Sequence, residues 1–537
     1  MISPILSIVV SRFYEAKGFY RIRSTYNYEI EPNARKMKAR VVSPDTQKMV
    51  PVDFIPNLDI EIENLTLQDV KSTSNGGGFS FENPGWLYPN ITLKNVSFLN
   101  VNSTLNGGSL YIQDANNTEI NNFTVKRASG VMGGSIFISR TNVSLIKNSV
   151  FENCQSSGFG GAISAQNVGN FTLKDSKLSG ILSSSSAGMI YSSNISRFEI
   201  ESSTFEYGTS ASNGSFVLEN IIEKTKIFDC LFQHFRGNTG SVIYMTTIAP
   251  LLIVDCVFSN CSSSGAGGAI FLTINYIADF QRICAYKCNV LSGTSTLGHF
   301  ISLADTLNSN IFFNFTSMTN CGTSSVGYGV IRLNSGYHEV TSTNSSFNSV
   351  YRYIFYMQPK YTSNYRFITE VNDTIGQYIC FIITVQGTGY NSLQYSNFIS
   401  NTSPSNYLFR IDDSSIRTTI LNSIFIKNNV PSLIYSSSAN VVIGCFIDHN
   451  GAFFTGNIIN ENIFNGSYTS TPTYTILHFN SHLCLTPEGL GGLDIPCPTS
   501  PLAPSTCIFP SDHQAESMIG YTTLIHLIMS SLYSLII

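Results

Sequence analysis

The chain runs to 537 residues, more than one ordinary hydrophobic core can organise, so it either divides into several domains or stacks repeats. Charged residues supply only 12% and apolar ones 43%, with 37 Phe and 27 Tyr against one Trp, which suits short strands and turns and excludes a disordered polar tract. The formal charge of −4 excludes nucleic acid as the main partner.

Residues 1–56 carry no repeat. Ile2–Val10 is apolar and Ser11 is small, the outline of a short secretory h-region, but no basic residue precedes it and Arg12 follows at once. The rest of this segment is basic and holds Pro32, Pro44, Pro51 and Pro56, which reads as an N-terminal cap over the first coil of an array.

From residue 57 a repeat sets in and holds to about 480. Its clearest copies are Asn148–Ser164, NSVFENCQSSGFGGAIS, and Val254–Leu272, VDCVFSNCSSSGAGGAIFL. Glycines that open an apolar strand recur at Gly108, Gly134, Gly161, Gly188, Gly214, Gly240 and Gly268, in steps of 26 to 28 residues. Short alternating strands follow them, such as SLYI, SIFI, MIYS and AIFL. A second strand column carries Phe98, Phe123, Phe151, Phe205, Phe232, Phe258, Phe347, Phe398 and Phe425. The glycines fade after Gly329, yet YIFYM, YICFI and YLFRI keep the spacing, so roughly 14 or 15 units are expected.

A fixed period of this kind means a stacked array. The runs are β-branched or aromatic and alternate with period two, which excludes helical repeats. About 27 residues are too few for a four-stranded propeller blade, and the Leu columns of leucine-rich repeats are missing. Two or three short strands plus turns make one rung of a parallel β-helix. Rungs ~4.8 Å apart then give an all-β rod about 65–70 Å long.

Each repeat residue acquires a structural role. The glycines stand at a corner where φ > 0 or close packing excludes a Cβ. Phe151, Phe205, Phe232 and Phe258 fall on the inward phase and stack between coils. The asparagines after them (Asn100, Asn153, Asn260, Asn320, Asn428) suit a turn and can bond amide to amide along the axis. Among 12 cysteines, Cys154, Cys261 and Cys321 share the slot after Asn, and Cys230 and Cys256 the slot before Phe. Cys230–Cys256 is the best candidate disulfide between adjacent coils, followed by Cys256 or Cys261 with Cys284 or Cys288; a reduced column of small buried residues is the alternative. Asn-X-Ser/Thr sequons at Asn95, Asn122, Asn170, Asn194 and Asn314 permit glycosylation in a secretory setting.

The pairing of FENC (151–154) with GGAI (160–163), and of FSNC (258–261) with GGAI (267–270), together with FISN (398–401) and FIKN (425–428), resembles the GGAI and FxxN repeats of the polymorphic outer membrane protein family. Similar repeats occur in surface proteins of some protists. The resemblance covers about residues 75–450 and implies a right-handed parallel β-helix displayed on a cell surface, with an adhesin role. It departs from the bacterial members at the end, where only about 85 residues follow the last clear coil in place of a large outer-membrane barrel.

Residues 481–517 shift to Pro and Cys (Cys484, Cys497, Cys507), which fits a crosslinked, stiff stalk. Met518–Ile537 has no formal charge over 20 residues and reads as a C-terminal hydrophobic helix: a transmembrane anchor, a removable lipid-anchor signal with Ser505 as attachment residue, or a buried helix. An enzyme of β-helix type needs carboxylates converging from adjacent coils. Asp412–Asp413 is the only adjacent Asp pair, and Arg410 and Arg417 beside it make a turn ion-pair group. Asp229 and Asp255 stack one coil apart in a slot filled elsewhere by Asn148 and Asp175, a turn position. His478, His482 and Cys484 have metal-ligand spacing but stand alone at the end of the array. No catalytic residue, resident metal or cofactor is assigned. The expectation is a surface-anchored glycoprotein binding host cells, matrix or glycans, with a carbohydrate-active β-helix enzyme as the alternative and a structural coat component behind both.

Overall fold

The structure, a computed structural model, describes residues 36–39 and 59–466 except 83–87, 275, 293–297, 305–308, 324, 335, 377–378, 385–389, 405–406 and 413–417. The expected stalk at 481–517 and the hydrophobic segment at 518–537 lie outside the described residues, as does most of the expected cap. Within the latter, Lys36–Ala39 pairs in parallel with Asp59–Ile62. The described residues form a β-solenoid of parallel strands and contain no helix.

Each coil has three sides. Side A opens after the glycine pair, as in Ile243–Thr247 and Ile270–Ile274. Side B carries the second strand column, as in Leu251–Ser259 and Ile277–Tyr286. Side C is a two-residue strand, as in Gln155–Ser156 and Ser262–Ser263. The solenoid has about 13 turns, against the 14 or 15 expected from spacing.

Corners are set by left-handed residues, which explains the Asn and Asp columns. Asn95, Asn122, Asn148, Asp175, Asp229 and Asp255 occupy one corner at φ 48–53°, and Asn100, Asn153, Asn260 and Asn320 another at 53–55°. Their amides bond along the axis: Asn122 donates to Asn95 at 2.7 Å, and Asn95 to Asn64 at 2.9 Å. Asn428 departs from the expectation. Its neighbour Lys427 takes the positive φ, and Asn428 itself points inside, 5% exposed.

The glycine pair divides two tasks. The first residue of the pair needs φ > 0, as in Gly133 (64°) and Gly160 (68°), and Ala187 fills that slot at 57°. The second glycine is needed for space. A Cβ on Gly108, Gly134, Gly161, Gly214 or Gly268 would overlap a carbonyl oxygen of the next coil, that of Gly134, Gly161, Gly188, Gly240 and His299 respectively; on Gly188 it would lie 2.7 Å from the Thr209 carbonyl.

Inside, the phenylalanines stack as expected. Phe205–Phe232 lie 5.1 Å apart at 9° and Phe232–Phe258 4.9 Å at 13°, and Phe151 is fully buried in the same column through Leu178. Two positions differ. Phe123 is buried one inward slot earlier, in register with Val96, and Phe347 sits at a left-handed corner, 45% exposed, two residues past the Phe column, whose slot Ser345 fills.

Candidate functional site

One row of outward side chains runs along side A. Register runs Tyr111, Phe137, Ser164, Tyr191, Val217, Tyr244, Phe271, Ser302, Arg332 and Tyr356, and joins Arg410 to Tyr435; Tyr111 and Phe137 are only 6% and 5% exposed. Their strand neighbours, such as Ile243 and Met245 beside Tyr244, are fully buried, so alternation alone turns the row outward. A rung spacing of ~4.8 Å is close to a ring-stacking distance, and the rings lie face to face: Tyr111–Phe137 at 5.1 Å and 6°, Tyr244–Phe271 at 5.5 Å and 9°. Phe159, from the loop before Gly160, covers Tyr191 at 5.0 Å. Higher up, Arg352 stands 4.3 Å over Tyr328 and Arg410 5.7 Å over Tyr435.

A polar row lies two residues on, and ring hydroxyls engage it. Tyr111 donates to Gln113, and Tyr191 to Glu219 at 3.0 Å. Burial is the main cause that raises both phenols above the usual value, so they remain neutral donors at any physiological pH. Side A therefore offers flat rings flanked by amide, hydroxyl and carboxylate groups. The signal was present in the sequence: the third residue after the second glycine is aromatic in Tyr111, Phe137, Tyr191 and Phe271.

The acids fall into two groups. Those outside form axial ion pairs: Arg282 holds Asp255 through two bonds of 2.7 and 2.6 Å, Arg140 holds Asp114 through two of 2.6 Å, and Lys226 meets Glu199 at 3.0 Å. The Arg140 guanidinium keeps the Asp114 carboxyl below the usual range. Asp229 and Asp255 occupy the left-handed corner, which accounts for their stacking. Of the Asp412–Asp413 group, the Asp412 side chain, Asp413 and Arg417 lie outside the described residues, as do His478, His482 and Cys484.

Inside the upper coils sits Asp373, fully buried in a column that runs Cys321, Asn348, Asp373, Asn401, Asn428 through successive coils. Each asparagine accepts a backbone N–H of the coil below (Asn348 from Cys321 at 2.7 Å, Asn401 from Asp373 at 2.9 Å) and donates to a carbonyl (Asn348 to Met318 at 3.2 Å, Asn401 to Glu370 at 3.1 Å, Asn428 to Phe398 at 2.8 Å). Burial pushes the Asp373 carboxyl up to about 7, against the lowering effect of the Ser345 hydroxyl and Asn348. Solvent does not reach it, so it is not placed for catalysis.

Among the described residues, no group of His, Cys, Asp and Glu is set to hold a metal ion. A shallow depression of about 660 Å³ on side C is lined by Thr374, Thr402, Ser403, Pro404, Asn429 and Pro431, none of them titratable. His299, pushed down to about 4 by burial, accepts the Val290 N–H and donates to Val326, an internal corner brace.

The cysteines form columns in register, and Cys288 joins the one after Asn. Cys230 and Cys256 do stack one coil apart, but both are free thiols, as are Cys154, Cys261, Cys288, Cys321 and Cys445. Each donates S–H to the carbonyl two residues earlier: Cys230 to Phe228 at 3.1 Å, Cys256 to Val254 at 3.2 Å, Cys261 to Ser259 at 3.4 Å. In the slot of Cys230 and Cys256, the coils below carry Ser149, Ser176 and Ser203, whose hydroxyls make the same bond at 2.7–2.8 Å. The thiols substitute for serine hydroxyls. Of the sequon asparagines, Asn95, Asn122 and Asn194 are exposed, and Asn170 and Asn314 half-buried. Compared with family models, curated proteins and solved structures, the chain matches none.

Proposed function

We propose that this chain is a cell-surface β-helical repeat protein of adhesin or display type, of the GGAI/FxxN polymorphic outer membrane protein kind. The stalk at 481–517 leads to a membrane anchor at 518–537. The side A row of stacked rings and hydrogen-bonding groups is the contact surface for host cells, matrix or glycans. The stacked, half-buried ring pair Tyr244–Phe271 in that row carries the reading. Rings spaced by the rung repeat contact a partner many times and shallowly, so affinity comes from number rather than from one deep pocket.

The test is adhesion of the surface-displayed full chain to cells, matrix and glycan arrays. The double substitution Tyr244→Ala with Phe271→Ala removes one ring pair from an outward slot and leaves the core intact. At least a fivefold loss of adhesion is expected. Undiminished adhesion overturns the assignment to side A, and release of reducing sugar by the wild-type chain favours the carbohydrate-active alternative.

A further inference from the structure

The charge carried by side A changes sign along the rod. Low on this side the charged residues are Glu82, Asp114 and Glu219, with Arg140 held by Asp114. High on it they are Arg332 and Arg410, with Arg352 just before the strand Tyr353–Gln358 and Asp412 at the end of the strand Tyr407–Asp412. Register carries Arg332 through Tyr356 and Ile382 to Arg410, and on to Tyr435. That is four rungs, or ~19 Å along the axis.

Tyrosine rings pack among these arginines. Tyr353 anchors a cluster with Tyr328, Tyr356 and Tyr407 that stands apart from the core. Tyr328 lies 5.6 Å from both Tyr353 and Tyr356, and Tyr407 lies 4.7 Å from Tyr435. Each arginine has a ring beside it: Arg352 is 4.3 Å from the Tyr328 centroid, Arg332 5.8 Å from that of Tyr356 and Arg410 5.7 Å from that of Tyr435. A ring against a guanidinium restricts its rotation without covering the N–H donors, which lie in the guanidinium plane. Tyr328, Tyr356, Tyr407, Tyr435 and all three arginines are half-buried, so the cluster meets solvent. Burial pushes the Tyr353 phenol up to about 12, so the ring at its centre stays neutral at any physiological pH.

We propose that the upper part of side A binds an acidic polysaccharide, with sugar rings on the tyrosines and sulfate or carboxylate groups on Arg332, Arg352 and Arg410. The inference rests on the adhesin reading of side A and names the ligand of its upper coils. Charge complementarity selects an anion, because the planar fork of arginine matches such groups through paired bonds. Shape selects the chain that carries it. Side A is the face of a sheet whose strands pair from coil to coil, so it offers a peptide no edge to extend. A row of rings ~19 Å long suits flat sugar units in series, each stacking its C–H face shallowly on a ring.

The test measures binding of the purified full chain to heparin, to uncharged dextran and to poly-glutamate at about 0.15 M salt. Heparin is expected to bind, at least tenfold more tightly than either other probe and more weakly as salt rises. Poly-glutamate bound as tightly as heparin overturns the proposal, as does a chain that ignores heparin. Arg332→Gln with Arg410→Gln is expected to lower heparin affinity at least tenfold with the β-sheet circular dichroism unchanged. Lys174→Gln with Lys226→Gln removes the same charge from side B, where both lysines sit in ion pairs, and is expected to change affinity less than twofold. Equal losses in the two double variants, or no loss in the first, overturn the site. Adhesion to cells without heparin binding overturns this ligand and leaves the adhesin reading standing.

Discussion

Asp373 accepts the backbone N–H of Asn348 at 2.7 Å through its carboxylate, from a slot that the flanking coils fill with asparagine. Its other oxygen takes the Ser345 hydroxyl at 2.6 Å, where the asparagines donate to a carbonyl. A carboxylate has no proton to donate, so the protonated form matches the amide column better. The Cys321 thiol two coils below interacts with it, and the fully buried Glu370 stands three residues before it in the chain. The folded carboxyl holds its proton up to about 7, whereas the unfolded one releases it near 3.8. The folded state therefore binds more protons across that window. This contribution to stability is complete below the lower value and is lost as pH rises through about 7, at no more than about 1.4 kcal/mol per pH unit. Asp373→Asn is expected to raise the melting temperature at pH 8 and to flatten its dependence between pH 4 and 7. Thermal melts across that range decide it, and an unchanged slope removes Asp373 as the cause.

Serine substitution at Cys230 and Cys256 should be nearly silent. The hydroxyl inherits the bond to the carbonyl two residues back, as Ser176 already shows, so the expected change is under about 1 kcal/mol. The melting temperature should respond equally with and without reductant. A drop seen only under oxidising conditions would reveal a Cys230–Cys256 disulfide and reverse the thiol assignment. Burial raises the Cys256 thiol well above its usual value and Cys154 to about 12, so slow alkylation of the native protein is also expected.

The two glycine slots should respond oppositely to a methyl group. Gly134→Ala drives a Cβ into the Gly161 and Gln155 carbonyls, and a loss above about 2 kcal/mol is expected. Ala187→Gly relieves an L-residue held at φ 57° and should be neutral or stabilising by up to about 1 kcal/mol. Chemical denaturation of the two variants side by side tests both signs.

Phe232 lies between Phe205 and Phe258 in the longest described ring stack, fully buried. Phe232→Ala should cost about 3–5 kcal/mol and expose neighbouring rungs to hydrogen exchange. Local exchange confined to one coil would support nearest-neighbour coupling between coils; uniform exchange along the rod would count against it.

The period was legible because Gly, Phe and Asn each answer to a separate physical demand that recurs once per coil. Gly134 needs space, Phe232 needs a ring-sized slot, and Asn122 needs a left-handed corner. Phe347 and Asn428 misled because a short pattern does not report phase: Asn428 lies one residue past the corner and Phe347 two past the core slot. The side A row was missed for a related reason. Tyr244 and Phe271 are apolar letters inside apolar strands, and only register shows that they point out. The Asp373 column stayed hidden because Asn348, Asp373 and Asn401 read as ordinary turn residues until their burial is known. The spacing pointed Cys284 to Cys256 or Cys261; Cys284 is disulfide-bonded, but those two are free thiols.

The bonds between coils, backbone and ion pair alike, lie along the axis of the rod; Lys226–Glu199 and the Asn122–Asn95 amide pair are examples. A pull applied at the two ends loads the rungs in series, so the weakest rung yields first and the chain peels one coil at a time. Each event releases about 27 residues, or close to 90 Å of extended chain. Under tension such a rod lengthens in steps and keeps hold, which turns a sudden tug into a gradual one.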